Sequence, residues 1–366
     1  MTILDRYIIK KILSTFFYVV LILVAIITVI DLTEKIDKFS ANNLSTAQIL
    51  GYYADFIPWI AGLISPITVF ISIVYVTSRM AAHTEIIAIL SSGVSFKRLL
   101  VPYFLAAFVI AALSFYLNGW VIPKSNQERL VFEMQYFKKN SLSSKRNVHM
   151  QIEPNVILFI QSYDNHSNVG YQFSLERFND NRLIEKLTAD NIQWDSVKQT
   201  WTLKYWKRKL VDSIFHIRQT SFVEKLSDRG IELDTVLAIS PKDFASNDRG
   251  YDGMTINELS EHIRKMKFRG STGVEIYEVE KQIRFATPFT IFVLVFMGVL
   301  VSSKKSRGGT GFQIALGFFL SFIFILFFTM TRTFAEAGSL SPLLAAWLPN
   351  SVFGAISLGM YKFVPR

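Results

Sequence analysis

The chain has 366 residues, 51% of them hydrophobic, with a formal net charge of +10 and no cysteine. Disulfides, thiolate metal ligands and cysteine nucleophiles are therefore excluded. The basic surplus flanks apolar runs, with neither zinc-finger spacing nor a basic helix carrying interleaved aromatics, so it reads as membrane topology and contact with acidic lipid rather than nucleic-acid binding.

The first apolar run, about 12–30, follows Arg6, Lys10 and Lys11. It is long enough to cross a hydrocarbon layer of roughly 30 Å and has no small-residue cleavage site, so it is expected to stay as a membrane helix. Two more runs follow at about 52–76, interrupted by Pro58 and Pro66, and at about 99–121. Between them, Ser78–Arg98 reads as a short amphipathic helix. Ala82, Ile86, Ile89 and Leu90 share one face, Glu85 stands beside them, and Gly93 suits the residue just past the end. Such a helix at the mouth of a bundle suits force transfer from a soluble motor; on periodicity alone, an interfacial helix that only covers the bundle fits equally well.

The polar middle changes period. Val156–Ser162, Tyr171–Phe178 and Thr200–Leu210 are short, β-branched and aromatic, with turn clusters such as Asn179-Asp180-Asn181 between them. In the last, Trp201, Leu203 and Tyr205 alternate with Thr202, Lys204 and Trp206, which predicts one buried face. From Thr255 the pattern is helical again, with Thr255 and Glu258 as a capping box and Gly270 after the end. Three further runs, about 285–301, 312–330 and 343–360, complete six spans.

The expected fold is an α-helical polytopic membrane protein of six transmembrane helices in a 3 + 3 arrangement, with a large extracytoplasmic all-β, jelly-roll-like domain between the third and fourth. Residues 1–124 hold the first three helices and the short helix at about 79–93. Residues 125–254 form the β-domain, 255–281 a connecting helix and 282–366 the last three spans. Lys10, Lys11, Arg79, Lys97, Arg98, Lys304, Lys305, Arg307, Lys362 and Arg366 fall on one side of alternating spans, which puts both termini in the cytoplasm.

No phosphate-binding loop is present. Ser306-Arg307-Gly308-Gly309-Thr310-Gly311 lacks the lysine, so ATP hydrolysis by this chain is not expected. The five histidines lack metal-ligand spacing, and no nucleophile triad can be argued. Asp55 has no acid or histidine at membrane depth to relay a proton to, so an N-cap or interfacial role is expected of it. Glu34, Lys35, Asp37 and Lys38 follow the first span, Lys124 and Arg129 the third, and Arg332 and Glu336 close the fifth. For Lys35 and Lys38, solvated interface lysines and binding of an anionic head group are both open; for Arg332, function and an i,i+4 pair with Glu336 are both open.

Leu4-Asp5-Arg6-Tyr7-Ile8, the helix with Glu85 followed by Ser92-Gly93, Arg284-Phe285-Ala286-Thr287-Pro288 and Ala346-Trp347-Leu348-Pro349-Asn350 resemble, in this order and placement, the lipopolysaccharide-export permeases of the LptF/LptG family; the opening is the more LptG-like. The resemblance covers the whole chain. It implies the non-catalytic membrane subunit of an ATP-driven ABC transporter in the inner membrane of a Gram-negative bacterium, paired with a second permease of the same type. No cofactor is implied in this chain, ATP and Mg being held by a partner ATPase dimer. By the same resemblance Glu85 engages the ATPase, with Ile86 and Ile89 seating the helix in its groove before Gly93. Lys35, Lys38, Arg129 and Arg332 lie near the phosphorylated sugars of lipopolysaccharide, and the β-domain passes acyl chains to a periplasmic bridge of jelly-roll proteins. Two other classes compete. A sensor or receptor with an outer ligand-binding β-domain needs a cytoplasmic output surface larger than the short inner segments give. A secondary transporter needs inverted repeats and midplane charges, and neither is found.

Overall fold

The computed structural model describes residues 2–137, 145–164, 167–179, 182–216, 219–244, 250–269, 273–303 and 309–362. Lys304, Lys305, Arg307, Gly308, Arg366, His166, Gly270 and the Asp180-Asn181 turn lie outside the described residues. The chain divides into two compact units, Met1–Phe132 with Tyr251–Ser260 and Glu275–Arg366, and Glu133–Gly250 with Glu261–Val274.

The first unit is helical because its apolar runs leave the backbone no other partner in lipid. α1 (Ile3–Ala41) opens with a capping box from Thr2, and α2 (Thr46–Ala82) with one from Ser45. α3 (Glu85–Ser91) is shorter than the helix expected at about 79–93, because α2 continues through Ala82 and the chain turns at His83 and Thr84, the latter left-handed at φ 61°. α4 (Phe96–Tyr116) runs through a π-helical turn, Leu117–Val121, into α5 (Ile122–Tyr136). Among the described residues, six helical stretches are long and apolar enough to cross a bilayer: α1, α2, α4 with α5, and three helices towards the C-terminus.

The second unit is built on a six-stranded antiparallel sheet: β1 (Lys145–Glu153), β2 (Val156–Asp164), β3 (Val169–Asn179), β4 (Arg182–Asp195), β5 (Thr200–His216) and β6 (Gln219–Thr235). Strands neighbour one another in sequence order, so the all-β domain is a single meander, simpler than the crossed connections of a two-sheet jelly roll. The turns are legible in residue chemistry. Asn155 takes φ 62° after Pro154, and Asp195 Oδ1 accepts the amides of Val197 and Lys198 at 2.8 and 3.1 Å. One face carries Leu158, Ile160, Phe173, Ile192 and Leu203, closed by α6 (Pro241–Phe244) and the residues before it. There Phe244 stacks on Tyr163 at 4.2 Å, and the indole N–H of Trp201 donates to the Ile239 carbonyl at 2.9 Å.

The expected alternation fails at Tyr205, which is 60% exposed while Trp206 turns to the core. Tyr205 sits at φ 52°, and Asn147 and Gln172 at 54° and 53°. By register, Asn147, Gln161, Gln172, Asp190 and Tyr205 stand opposite one another across β1 to β5. Along this line the parity of inward residues switches. A left-handed residue rotates the strand by one side chain without shifting its pairing, and period-2 reasoning cannot foresee it.

The chain then passes a 3-10 turn (Gly250–Gly253) into α7 (Ile256–Arg269), whose capping box is as expected: the Thr255 amide donates to Glu258 at 2.8 Å, and the Glu258 amide to the Thr255 hydroxyl at 3.4 Å. α8 (Val274–Ser302), α9 (Gly309–Glu336) and α10 (Pro342–Tyr361) complete the bundle. α2 and α8 are its centre: the most apolar windows of these two are 61% and 56% buried, against 17% for α1 and 22% for α9. A Cβ on Gly298 would meet Ile73 at 2.9 Å, and one on Gly317 would meet Val74 at 3.1 Å, so small residues let α8 and α9 close on α2. Pro349 removes the N–H that would bond the Ala345 carbonyl, and the Thr331 hydroxyl of α9 donates to that carbonyl instead, at 3.0 Å.

Candidate functional site

The start of α1, the end of α10 and α3 gather at one end of the bundle, where Ile8, Ile12, Met80, Ile86, Phe96 and Leu99 form one buried cluster with Met360 and Tyr361 packed against it. Of the stripe read from the sequence, Ile86, Ile89 and Leu90 face this cluster, while Ala82 closes α2 and is exposed. Ile86 is 2% exposed, and Ile89 and Leu90 pack partly buried on the same core. Ile86 therefore anchors α3 to its own bundle and offers no surface to a partner. The apolar side chain turned outward is Ile87, 51% exposed. Gly93 has φ 88° with open space where a Cβ would be, so its role is the turn from α3 towards α4, a backbone that L-residues rarely adopt.

Glu85 begins α3 with its side chain 30% exposed. It accepts from Lys11 at 3.4 Å and from the Tyr7 hydroxyl at 3.2 Å, while Lys11 also donates to Tyr7 at 2.7 Å. The acid is thus held on α1 by two side chains one turn apart. An exposed pair of this kind adds little stability, and holds orientation rather than the fold.

At the opposite end of the bundle the predicted cations fall into two groups. Lys35 donates to Asp31 at 2.7 Å and to the Tyr52 hydroxyl, and lies over the Tyr52 ring at 4.9 Å. Arg129, 7% exposed, donates to Asn126 at 2.8 Å and stacks over Trp59 at 4.1 Å. Tyr52, Phe56 and Trp59 bridge the two along α2 with ring spacings of 6.0 and 5.7 Å, so Lys35 and Arg129 share one aromatic ladder. Lys38 is exposed nearby on α1. Asp55 is ten residues into a helix capped by Ser45, so it is not an N-cap.

Arg332 belongs to a separate network on α8 and α9. It donates to Glu336 at 2.7 Å, as the i,i+4 spacing implies, and to Glu280 at 3.2 Å. Glu280 also receives Arg284 at 3.0 Å, and Arg284 donates to the carbonyls of Tyr251 and Met254. Glu280 and Arg284 form a pair that residue type alone does not mark. Their signal is an i,i+4 acid and base just before an apolar run. Two acids and two guanidinium groups here fix the spacing of α8, α9 and the segment entering α7.

The model of the family described as "Lipopolysaccharide export system permease LptF/LptG" matches residues 6–362. The chain belongs to the LptF/LptG family. Among curated relatives, the lipopolysaccharide export system permease protein LptG of Escherichia coli strain K12 is 19% identical over 360 residues, covering 97% of each chain. LptG of Escherichia coli O6:H1 strain CFT073 matches to the same extent.

In this LptF/LptG-type permease the motif residues have concrete jobs. Asp5, its side chain 5% exposed, is gripped by both arms of Arg98 at 2.8 and 2.7 Å and accepts the Thr2 amide, which ties the start of α1 to the start of α4. Asn350 on α10 accepts from Thr290 at 2.8 Å and donates to the Ala286 carbonyl at 3.3 Å, fastening α10 to α8. Among the described residues no group of acids and histidines could hold a metal.

Proposed function

We propose that this multi-pass permease is the membrane half of an ATP-driven extractor of lipopolysaccharide in the inner membrane, with both termini in the cytoplasm and the β-domain in the periplasm. The observation that carries the reading is α3. Ile86 fixes it in the bundle core, while Glu85 and Ile87 remain open at its outer side. A dimeric ATPase of ABC type binds that side, with Glu85 as the anionic contact and Ile87 as the apolar one. Movement imposed on α3 passes through Ile86 to α1, α2 and α4, whose residues share its core.

The energetic need for a motor is plain. At about 0.8 kcal/mol per methylene, several acyl chains bind far too tightly for passive release. Lipopolysaccharide enters beside α1 and α9, the helices with the least of their surface packed in this chain, and a second permease of the family covers the remainder. Lys35 and Lys38 then lie nearest its phosphorylated sugars, with Arg129, buried against Trp59, behind them. Arg332, closed on two acids, sets the position of α9.

Co-purification from membranes tests this. Tagged wild type is expected to bring down an ATPase and lipopolysaccharide, and Glu85→Arg, which repels Lys11 and reverses the charge offered, to lose the ATPase. Wild type isolated without any ATPase would refute the proposal.

A further inference from the structure

The sheet has two faces, and its own residues close only one. Trp201, Tyr163, Phe173 and Phe244 are buried on the apolar face. The other face holds an open groove of about 750 Å³, inside the roughly 300–1,000 Å³ range of small-molecule sites. Its floor is the line where parity switches, because Asn147, Gln161, Gln172, Asp190 and Tyr205 all line it. Three left-handed non-glycine residues on one line across a sheet are uncommon, and such backbone gathers at ligand clamps.

The lining is mixed in a specific way. His149 packs on Phe159 with ring centres 4.5 Å apart, and Tyr205 presents an exposed ring. Gln161, Gln172, Asp190 and Lys207 reach the groove, and among the described residues none of their side chains has a hydrogen-bond partner in the chain. Glu176 and Lys186 close on each other at 2.7 Å, which leaves Asp190 and Lys207 to balance. A near-neutral lining does not select phosphate. An acyl chain would meet Ile157 and Phe159, but it would strip water from two amides, a carboxylate and an ammonium group without replacing their hydrogen bonds. A sugar ring offers C–H faces to aromatic rings, and hydroxyls that both donate and accept at its rim. We infer that this groove is a saccharide-binding site that takes neutral sugar residues. That the sugars belong to the exported lipopolysaccharide rests on the permease reading above; a free glycan shares the chemistry.

The test uses the full chain in lipid nanodiscs. Three probes are titrated by saturation-transfer NMR: the acyl-free oligosaccharide of lipopolysaccharide, maltoheptaose and myristate. Tyr205→Asn removes the ring but keeps a residue that tolerates φ near +52°, and Asp190→Ala removes the carboxylate; circular dichroism checks that both fold. The oligosaccharide is expected to bind wild type and to weaken by about tenfold in each variant, as loss of one ring or one charged hydrogen bond implies, with myristate unaffected. Equal binding of maltoheptaose keeps the site and points to a free glycan. No sugar binding by wild type, unchanged binding in both folded variants, or displacement of sugar by myristate would each overturn the proposal. ATPase and lipopolysaccharide are assayed in the same preparation. If both are retained while sugar binding fails, only the groove falls; if the ATPase is missing, the permease reading falls whatever the sugar result.

Discussion

Replacing Ile86 by Ala should loosen α3 without unfolding the bundle. The side chain is 2% exposed, and such a truncation costs about 2–5 kcal/mol once the cavity is included. A seven-residue helix has little stability of its own and depends on docking. The loss therefore falls on the local equilibrium between docked and undocked α3. Converted at about 1.4 kcal/mol per factor of ten, protection of the hydrogen-bonded amides of 88–92 should drop about 30-fold to several thousand-fold. Ile87, half-exposed one residue away, is turned out of that core. Ile87→Ala should change protection less than about threefold, the scale of a surface substitution, yet weaken ATPase association. Hydrogen exchange of the two variants, read beside ATPase co-purification, separates the roles. Equal protection in both, or ATPase loss confined to Ile86→Ala with α3 still protected, would refute the assignment of Ile86 as anchor and Ile87 as contact.

Asp5→Asn and Arg98→Gln should each lower the melting temperature of the purified chain, and the double variant should fall little further than the worse single one, since both break one bidentate pair. Thr331→Val should destabilise the chain by about 1–3 kcal/mol, because the Ala345 carbonyl loses its donor; in a Pro349→Ala background the cost should shrink, since the restored amide can serve that carbonyl, and denaturation of all four forms measures it. In the β-domain, burial and the nearby Asp164 carboxylate push the Tyr163 phenol above its usual range. A raised folded-state value means stability is full below the unfolded value of about 10 and is lost as pH rises above it. Tryptophan-monitored unfolding between pH 8 and pH 11 (roughly the interval that brackets that value) should show a steeper decline for wild type than for Tyr163→Phe.

Hydropathy alone located the six spans because a bilayer leaves the backbone few choices, and residue-level cap chemistry located the start of α7 at Thr255. β2, β3 and β5 were visible as aromatic, β-branched runs. β1, β4 and β6 have at most one Phe, Trp or Tyr each, so charged pairs such as Lys145-Arg146, Glu185-Lys186 and Asp228-Arg229 mask their period. Alternation grouped Tyr205 with Trp201 and Leu203, and its left-handed torsion sets it on the other face. On α3, periodicity found the apolar stripe but could not say whether it faced the chain's own core or a partner, since α1, α2 and α4 meet it from far along the sequence. The same distance hid Asp5–Arg98 and Arg332–Glu280, 93 and 52 residues apart. Lys11 and Tyr7, which hold Glu85, carry no local signal of that task.

The account turns on whether α3 transmits work. Proteoliposomes loaded with lipopolysaccharide and containing the permease pair with its ATPase, as wild type or with Glu85→Arg in this chain, can be assayed for transfer of lipopolysaccharide to a soluble acceptor after ATP is added. Transfer by wild type only with ATP, and none above background by a folded, lipopolysaccharide-bearing Glu85→Arg, is the predicted result. Transfer without ATP, or at the wild-type rate in Glu85→Arg, would contradict it.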